Sequence, residues 1–119
     1  MYTQKIGRYG ENLAARFLVG RGFKILDRNW RTRYGELDII AQKGGVIHFV
    51  EVKTRTGLGS GEPEEAISYF KMRRLQGAAR SFLLLHNLAE VACQFDSLAV
   101  VLNLKAQKAR VRLIENIVF

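Results

Sequence analysis

Gly44-Gly45 separates two apolar runs, GELDIIAQ (Gly35–Gln42) and VIHFVEVKT (Val46–Thr54), and so predicts a β-hairpin. Two adjacent glycines accept the positive φ angles of a two-residue turn. With that turn Lys43 pairs with Val46, Asp38 faces Glu51 and Glu36 faces Lys53. Paired residues share a face, and so do residues two apart. Glu36, Asp38, Glu51 and Lys53 are therefore expected together on one face. Leu37, Ile39, Val50 and Val52 are expected on the other, toward a helix. A three-residue turn would shift the pairing by one and scatter the charges.

Two opposed carboxylates are unfavourable. At about 4 Å and an effective dielectric of about 20, like charges repel by roughly 4 kcal/mol. A shared proton, a neighbouring lysine or a divalent cation offsets that cost. Carboxylate oxygens suit a hard cation such as Mg²⁺ or Mn²⁺, and Lys53 would add a fixed positive charge useful against a phosphate. The plainer alternative is an exposed sheet face with a Glu36–Lys53 cross-strand pair, worth under about 1 kcal/mol.

The net charge of +8 indicates a polyanionic partner, nucleic acid first, or else simply a solvated basic surface. The distribution says more. Residues 1–33 hold eight Lys/Arg against two acids, residues 34–65 three against six, and residues 66–119 eight against three. An acidic middle between basic flanks suits a metal-dependent enzyme acting on phosphate better than a purely electrostatic binder. The single cysteine, Cys93, rules out an internal disulfide, and with only His48 and His86 beside it a Cys/His zinc site is nearly excluded. No apolar run approaches the roughly 18 residues of a membrane span, and the opening MYTQKIGRYGEN lacks the apolar stretch of a signal peptide. The expectation is a cytoplasmic protein with no membrane partner, folded as one domain over residues 1–119.

Apolar spacing predicts a helix from Thr3, its N-cap, to Gly20, with a stripe through Ile6, Gly10, Leu13, Ala14, Phe17 and Leu18. Phe23–Trp30 reads as a strand, and Arg55–Pro63 as a loop too irregular for a Walker phosphate loop. A second helix is expected from Pro63 in its first turn to His86, with Ile67, Phe70, Leu75, Ala78, Ala79, Phe82 and Leu83 inward. Strands follow at Val91–Asn103 and Arg110–Val118. The order α-β-β-β-α-β-β makes an α/β or α+β domain, with helices packed against one sheet.

The blocks GEN (Gly10–Asn12), RNWR (Arg28–Arg31), GELDII (Gly35–Ile40) and FVEVKTR (Phe49–Arg55) resemble the YraN family of bacterial proteins. Asp38 followed by Glu51-Val52-Lys53 resembles the D…(D/E)xK signature of the restriction-endonuclease-like superfamily, and the chain is similar to Holliday-junction resolvases. The resemblance implies a restriction-endonuclease-like sheet and a Mg²⁺- or Mn²⁺-dependent endonuclease acting on branched DNA, as a homodimer. It implies Asp38 and Glu51 as metal carboxylates, the Val52 carbonyl as a further ligand, Lys53 as the catalytic lysine and Glu11 as an added helical glutamate. Leu37 stands where the superfamily often has Pro. The rival reading keeps the fold as a non-catalytic DNA- or RNA-binding module.

Other residues divide between roles. Lys71 and Arg74 on the second helix, Arg55 at the loop entrance, and Arg31 with Arg28 and Arg33 before the hairpin are candidate nucleic-acid contacts or solvated charges. Asp96, in a buried strand, needs a partner and is read as a structural hydrogen-bond acceptor. His48 should face away from the carboxylates, Cys93 should lie in the core, and Trp30 and Tyr34 should pack rather than stack on bases.

Overall fold

The computed structural model describes residues 2–57 and 68–117, without the side chains of Tyr2 and Thr3. Its elements are α1 (Tyr2–Gly20), β1 (Lys24–Thr32), β2 (Gly35–Lys43), β3 (Val46–Thr56), α2 (Tyr69–Leu85), β4 (Cys93–Asn103) and β5 (Lys108–Ile114), in the expected order. The five strands form one sheet in sequence order. All neighbours are antiparallel except β3 and β4, which are parallel because α2 carries the chain back between them.

The sheet is covered on both faces. On one, Ala14 and Leu18 of α1 pack with Ile39, Ala41, Val50, Leu98, Val100 and Leu102. On the other, Leu75, Ala78, Ala79 and Phe82 of α2 pack with Leu37, Ile40, Ile47 and Phe49. Burying a side chain the size of Leu18 or Phe49 contributes roughly 1.5–3 kcal/mol. Trp30 sets its edge on Phe82 at 5.4 Å, and Tyr34 lies against Gly77, so both aromatics pack as expected.

Four expectations need correction. The first helix starts at Tyr2, ahead of the predicted cap at Thr3. The second starts at Tyr69, where the Ser68 side chain accepts a hydrogen bond from the Lys71 N–H. Ile67 and Pro63, expected in this helix, lie outside the described residues. Phe70 is 79% exposed, and Met72 takes a buried place instead. Cys93 opens β4 at the end of the sheet and is exposed rather than core.

The approach of α1 to the sheet depends on Gly10. A Cβ there would fall 2.0 Å from Thr54 Oγ1 and 2.9 Å from Thr54 Cβ. Rotating Thr54 relieves the first contact but not the second, so Gly10→Ala must push α1 off β3. We expect a loss of about 1–3 kcal/mol by urea denaturation, partly restored by adding Thr54→Ala. A variant as stable as wild type would show that the helix seats itself without this close approach.

Candidate metal centre

The hairpin register is the predicted one over its outer half, from Lys43↔Val46 to Ile39↔Val50, closed by Gly44 and Gly45 at φ 59° and 78°. The ladder stops there. β2 continues on β1 and β3 continues on β4, so the two strands part at Asp38. Asp38 fills the gap with its side chain: Oδ2 accepts the Val52 N–H at 2.9 Å, in place of a ladder carbonyl. The break reverses the alternation of β2. Leu37 packs with the α2 cluster while Ile39 packs with α1, so the expected common face of Leu37, Ile39, Val50 and Val52 is not formed. Nor does Glu36 face Lys53. Its Cα partner is Arg31 on β1, whose Nε donates to Glu36 Oε2 at 2.9 Å.

Glu36 instead joins a helical residue. Ligand oxygens of Glu11, Glu36 and Asp38 all lie within 4.8 Å of one another. Glu11 is held from two sides, accepting from Asn29 Nδ2 at 2.8 Å and lying 3.8 Å from Arg28 Nη2. The same Nη2 donates to Asn12 Oδ1 at 2.7 Å, so the GEN and RNWR blocks interlock. Asn29 reaches Glu11 from a left-handed conformation, φ 53°, directly across from the break at Asp38. Residue-by-residue reading missed Asn12 and Asn29 and left Arg28 as a surface cation. The available signal was Asn itself, which tolerates positive φ better than most side chains.

Glu51, on β3, acts on Asp38 through its charge. It shares its face with Phe49, toward α2, and Lys71 Nζ lies 3.0 Å from its Oε1. Lys53, two residues on, is half-buried and takes the same face by alternation. Arg55 follows Lys53 and is half-buried, with Nη1 near its neighbour's Thr54 carbonyl at 3.3 Å. Arg74 is exposed one turn after Lys71, and Arg31 is exposed except for its Glu36 contact. On the α1 side Glu11, Asn29, Arg31 and Glu36 line an open cleft of about 350 Å³ with Gln4, Gly7 and Arg8.

This gathering acts most strongly on Asp38. Burial, then the Glu51 charge, push its carboxyl up to about 8; the Val52 N–H opposes the shift, and Glu11 and Glu36 add to it. Such a group either holds a proton or meets a cation. Its donors are hard carboxylate oxygens from three elements, the set that Mg²⁺ or Mn²⁺ prefers. Next to Glu51 on β4, the buried Ser97 Oγ has no hydrogen-bond partner among the described residues. The residues therefore fit a divalent cation.

His48 and Asp96 lie elsewhere, as expected. His48 packs edge-on to Phe23 at 4.9 Å in the α1 cluster, and its Nδ1 donates to the fully buried Asp96 at 2.6 Å.

Comparison with known proteins agrees with the YraN resemblance. A family model described as "Uncharacterised protein family UPF0102" matches residues 10–100. The chain belongs to the UPF0102 family. A UPF0102 protein of Rhodococcus opacus (strain B4) is 46% identical over 97 residues, covering 82% of each chain. One from Anaeromyxobacter dehalogenans (strain 2CP-C) is 50% identical over 97 residues, 82% of this chain and 72% of its own. A UPF0102 protein of Caldicellulosiruptor saccharolyticus is 40% identical over 116 residues, 98% of each. The Glu11–Asn29 contact and the Asp38–Val52 break both fall inside the UPF0102 match. Among solved structures, Pyrococcus furiosus SfsA in complex with Ca²⁺ aligns at a TM-score of 0.45 and 19% identity, over 95% of this chain and 63% of that one. Among the described residues no helix is long and apolar enough to cross a membrane.

Proposed function

We propose that this UPF0102 chain is a divalent-metal-dependent nuclease of the restriction-endonuclease-like type, hydrolysing phosphodiester bonds in branched or structured DNA. The observation that carries the proposal is Asp38, half-buried where two strands part, with the charges of Glu51, Glu11 and Glu36 acting on it. A proton on Asp38 or a bound cation relieves that repulsion, and the cation is the one that gives the cluster a chemical use.

Asp38, Glu51 and Glu11 would hold the ion, with the Val52 carbonyl as a further oxygen donor. Bound there, Mg²⁺ or Mn²⁺ supplies Lewis acidity toward the phosphate and lowers the pKa of an attacking water. The protein's own part is positioning. Val52 N–H fixes the Asp38 carboxylate, and Asn29 and Arg28 fix Glu11. Lys53 orients the water and stabilises charge building on the phosphoryl oxygens. Lys71, beside Glu51, with Arg74, Arg55 and Arg31, holds flanking phosphates. The attacking water gives up a proton to solvent as its oxygen bonds to phosphorus, the bond to the leaving sugar oxygen breaks, and that oxygen takes up a proton from solvent. A homodimer would place two such sites on a junction with paired cut positions.

The test is a nicking assay on four-way junction, duplex and single-stranded DNA with Mg²⁺ or Mn²⁺. Lys53→Ala should lower the cleavage rate by about 10²–10³-fold while leaving DNA affinity within a few-fold. If wild type binds DNA but cuts no form of it, the chain is a binding module that keeps a nuclease fold.

A further inference from the structure

The face that carries Glu51 continues across β4 and β5 in rows set by the strand register. They are Glu51–Ser97–Ile114, then Lys53–Ala99–Arg112, then Arg55–Val101–Arg110. The other residues of β5 fix its orientation: Val111 and Leu113 pair with Val100 and Leu98 and pack into the α1 cluster. Lys108, Arg110 and Arg112 therefore leave by the opposite face. There α2 packs against β1 and β2, and its cluster reaches β3 and Phe95 of β4 but includes no residue of β5. The three cations are exposed, and among the described residues none has a salt bridge.

The charge pattern is one-sided. Between Asp96 and Glu115 the chain has four cations, Lys105, Lys108, Arg110 and Arg112, and no acid. β5 is also an edge strand, and edge strands carry charge to resist pairing with other chains. That purpose needs only one or two charges, on either face. Instead, all three strand cations occupy the face of the Glu51 row, at alternate positions where like charges repel. Rows lie about 6.6 Å apart along the strands, and β3 and β5 about 10 Å apart across the sheet. A polyanion running along this face meets cations in successive rows and arrives at Glu51.

We infer that the α2-side face of β5 is a phosphate rail: Arg110 and Arg112, with Lys108 beyond them, hold the sugar-phosphate backbone of DNA on its way to the Glu51 row. The inference rests on the nuclease reading for its ligand. It adds a strand that the motif residues do not include, and it makes β5 a binding element rather than a passive edge.

The experiment is fluorescence anisotropy of labelled duplex and junction DNA over a salt series, with the nicking assay run in parallel. Compared are wild type, Arg110→Glu/Arg112→Glu, the milder Arg110→Gln/Arg112→Gln, and a charge-matched control on α1, Lys5→Glu/Arg16→Glu. Thermal melts confirm that each folds. The β5 pair should weaken binding by roughly tenfold or more on every DNA sequence, and lower the slope of log K against log salt by about 2. The Gln pair should show the same direction at smaller size, and the control should stay near wild type. Mn²⁺ binding in the absence of DNA should be unchanged in all of them. If the β5 variants bind and cut like wild type, or no worse than the control, the rail is wrong and the nuclease reading stands. If they lose binding but wild type never cuts, the rail stands and the nuclease reading falls. If wild type binds no DNA, both fall.

Discussion

Asp38→Asn should make the metal-free protein more stable at neutral pH and abolish its cation binding at the same time. Folding raises the Asp38 carboxyl from 3.8 to about 8. Between those values the folded chain keeps a proton that the unfolded chain has released. Its contribution is fully present at low pH and is lost as pH rises through the folded value, by up to about 1.4 kcal/mol per pH unit. Solvent reaching this half-buried group trims the total. Asn keeps a side-chain oxygen to accept the Val52 N–H, carries no charge and does not titrate. At pH 7 the variant should therefore exceed wild type by roughly 2–3 kcal/mol, with a flatter pH profile.

Divalent cation should reverse the order. At a thousand times its Kd, Mn²⁺ should add about 4.1 kcal/mol to wild type and nothing to Asp38→Asn. Urea denaturation across the pH range, with chelator or with Mn²⁺, reads both effects, and calorimetry reads the binding directly. A variant less stable than wild type under chelator at neutral pH would mean that Asp38 is not repelled by its neighbours, and the case for a cation would lose its main support. Equal Mn²⁺ stabilisation of both proteins would place the ion elsewhere.

Most of this architecture was legible in the residues, and the reason is local. Gly44-Gly45 allows one tight turn, that turn sets one register, and the observed ladder obeys it from Lys43↔Val46 to Ile39↔Val50. What the pattern did not carry was the end of the ladder. Strict alternation assumes uninterrupted pairing, and Asp38 interrupts it by taking the Val52 N–H for itself. Leu37 and Glu36 then exchange faces, and Glu36 meets Arg31 and Glu11 instead of Lys53. Asn29 allows the matching irregularity in β1, because its positive φ costs little there. In helix 2 a local cap sets the described boundary: Ser68 supplies a side-chain acceptor for the Lys71 N–H, and the helix follows it. The sequence pattern thus locates Asp38, Glu51 and Lys53, but the contacts orienting Glu11 come from two distant segments and need the fold.

The second large effect concerns a cluster that imitates a metal site. His48, Asp96 and Glu115 bring possible ligand atoms within 4.8 Å, yet the hydrogen bonds of Asp96 are already committed. Oδ2 takes His48 Nδ1 at 2.6 Å, and Oδ1 takes Gln94 Nε2 and the Asn116 N–H at 2.9 Å each. A carboxylate with three donors, fully buried, acts as a fastener. It joins β3 to β4 and pins the chain after β5, where the Ile117 N–H also bonds the Phe95 carbonyl at 2.8 Å. Asp96→Ala leaves those donors without an acceptor in a dry interior, and should cost about 3–5 kcal/mol. Asp96→Asn should cost less, because it keeps an acceptor for the Gln94 and Asn116 donors. In hydrogen exchange, the Asn116 and Ile117 amides should lose protection in Asp96→Ala before the rest of β4 does. Glu115, exposed and outside these bonds, should be replaceable by Gln with no change in Mn²⁺ affinity. A drop in that affinity would recast the fastener as a second ion site, and the three donors around Asp96 would then have to rearrange to admit the ion.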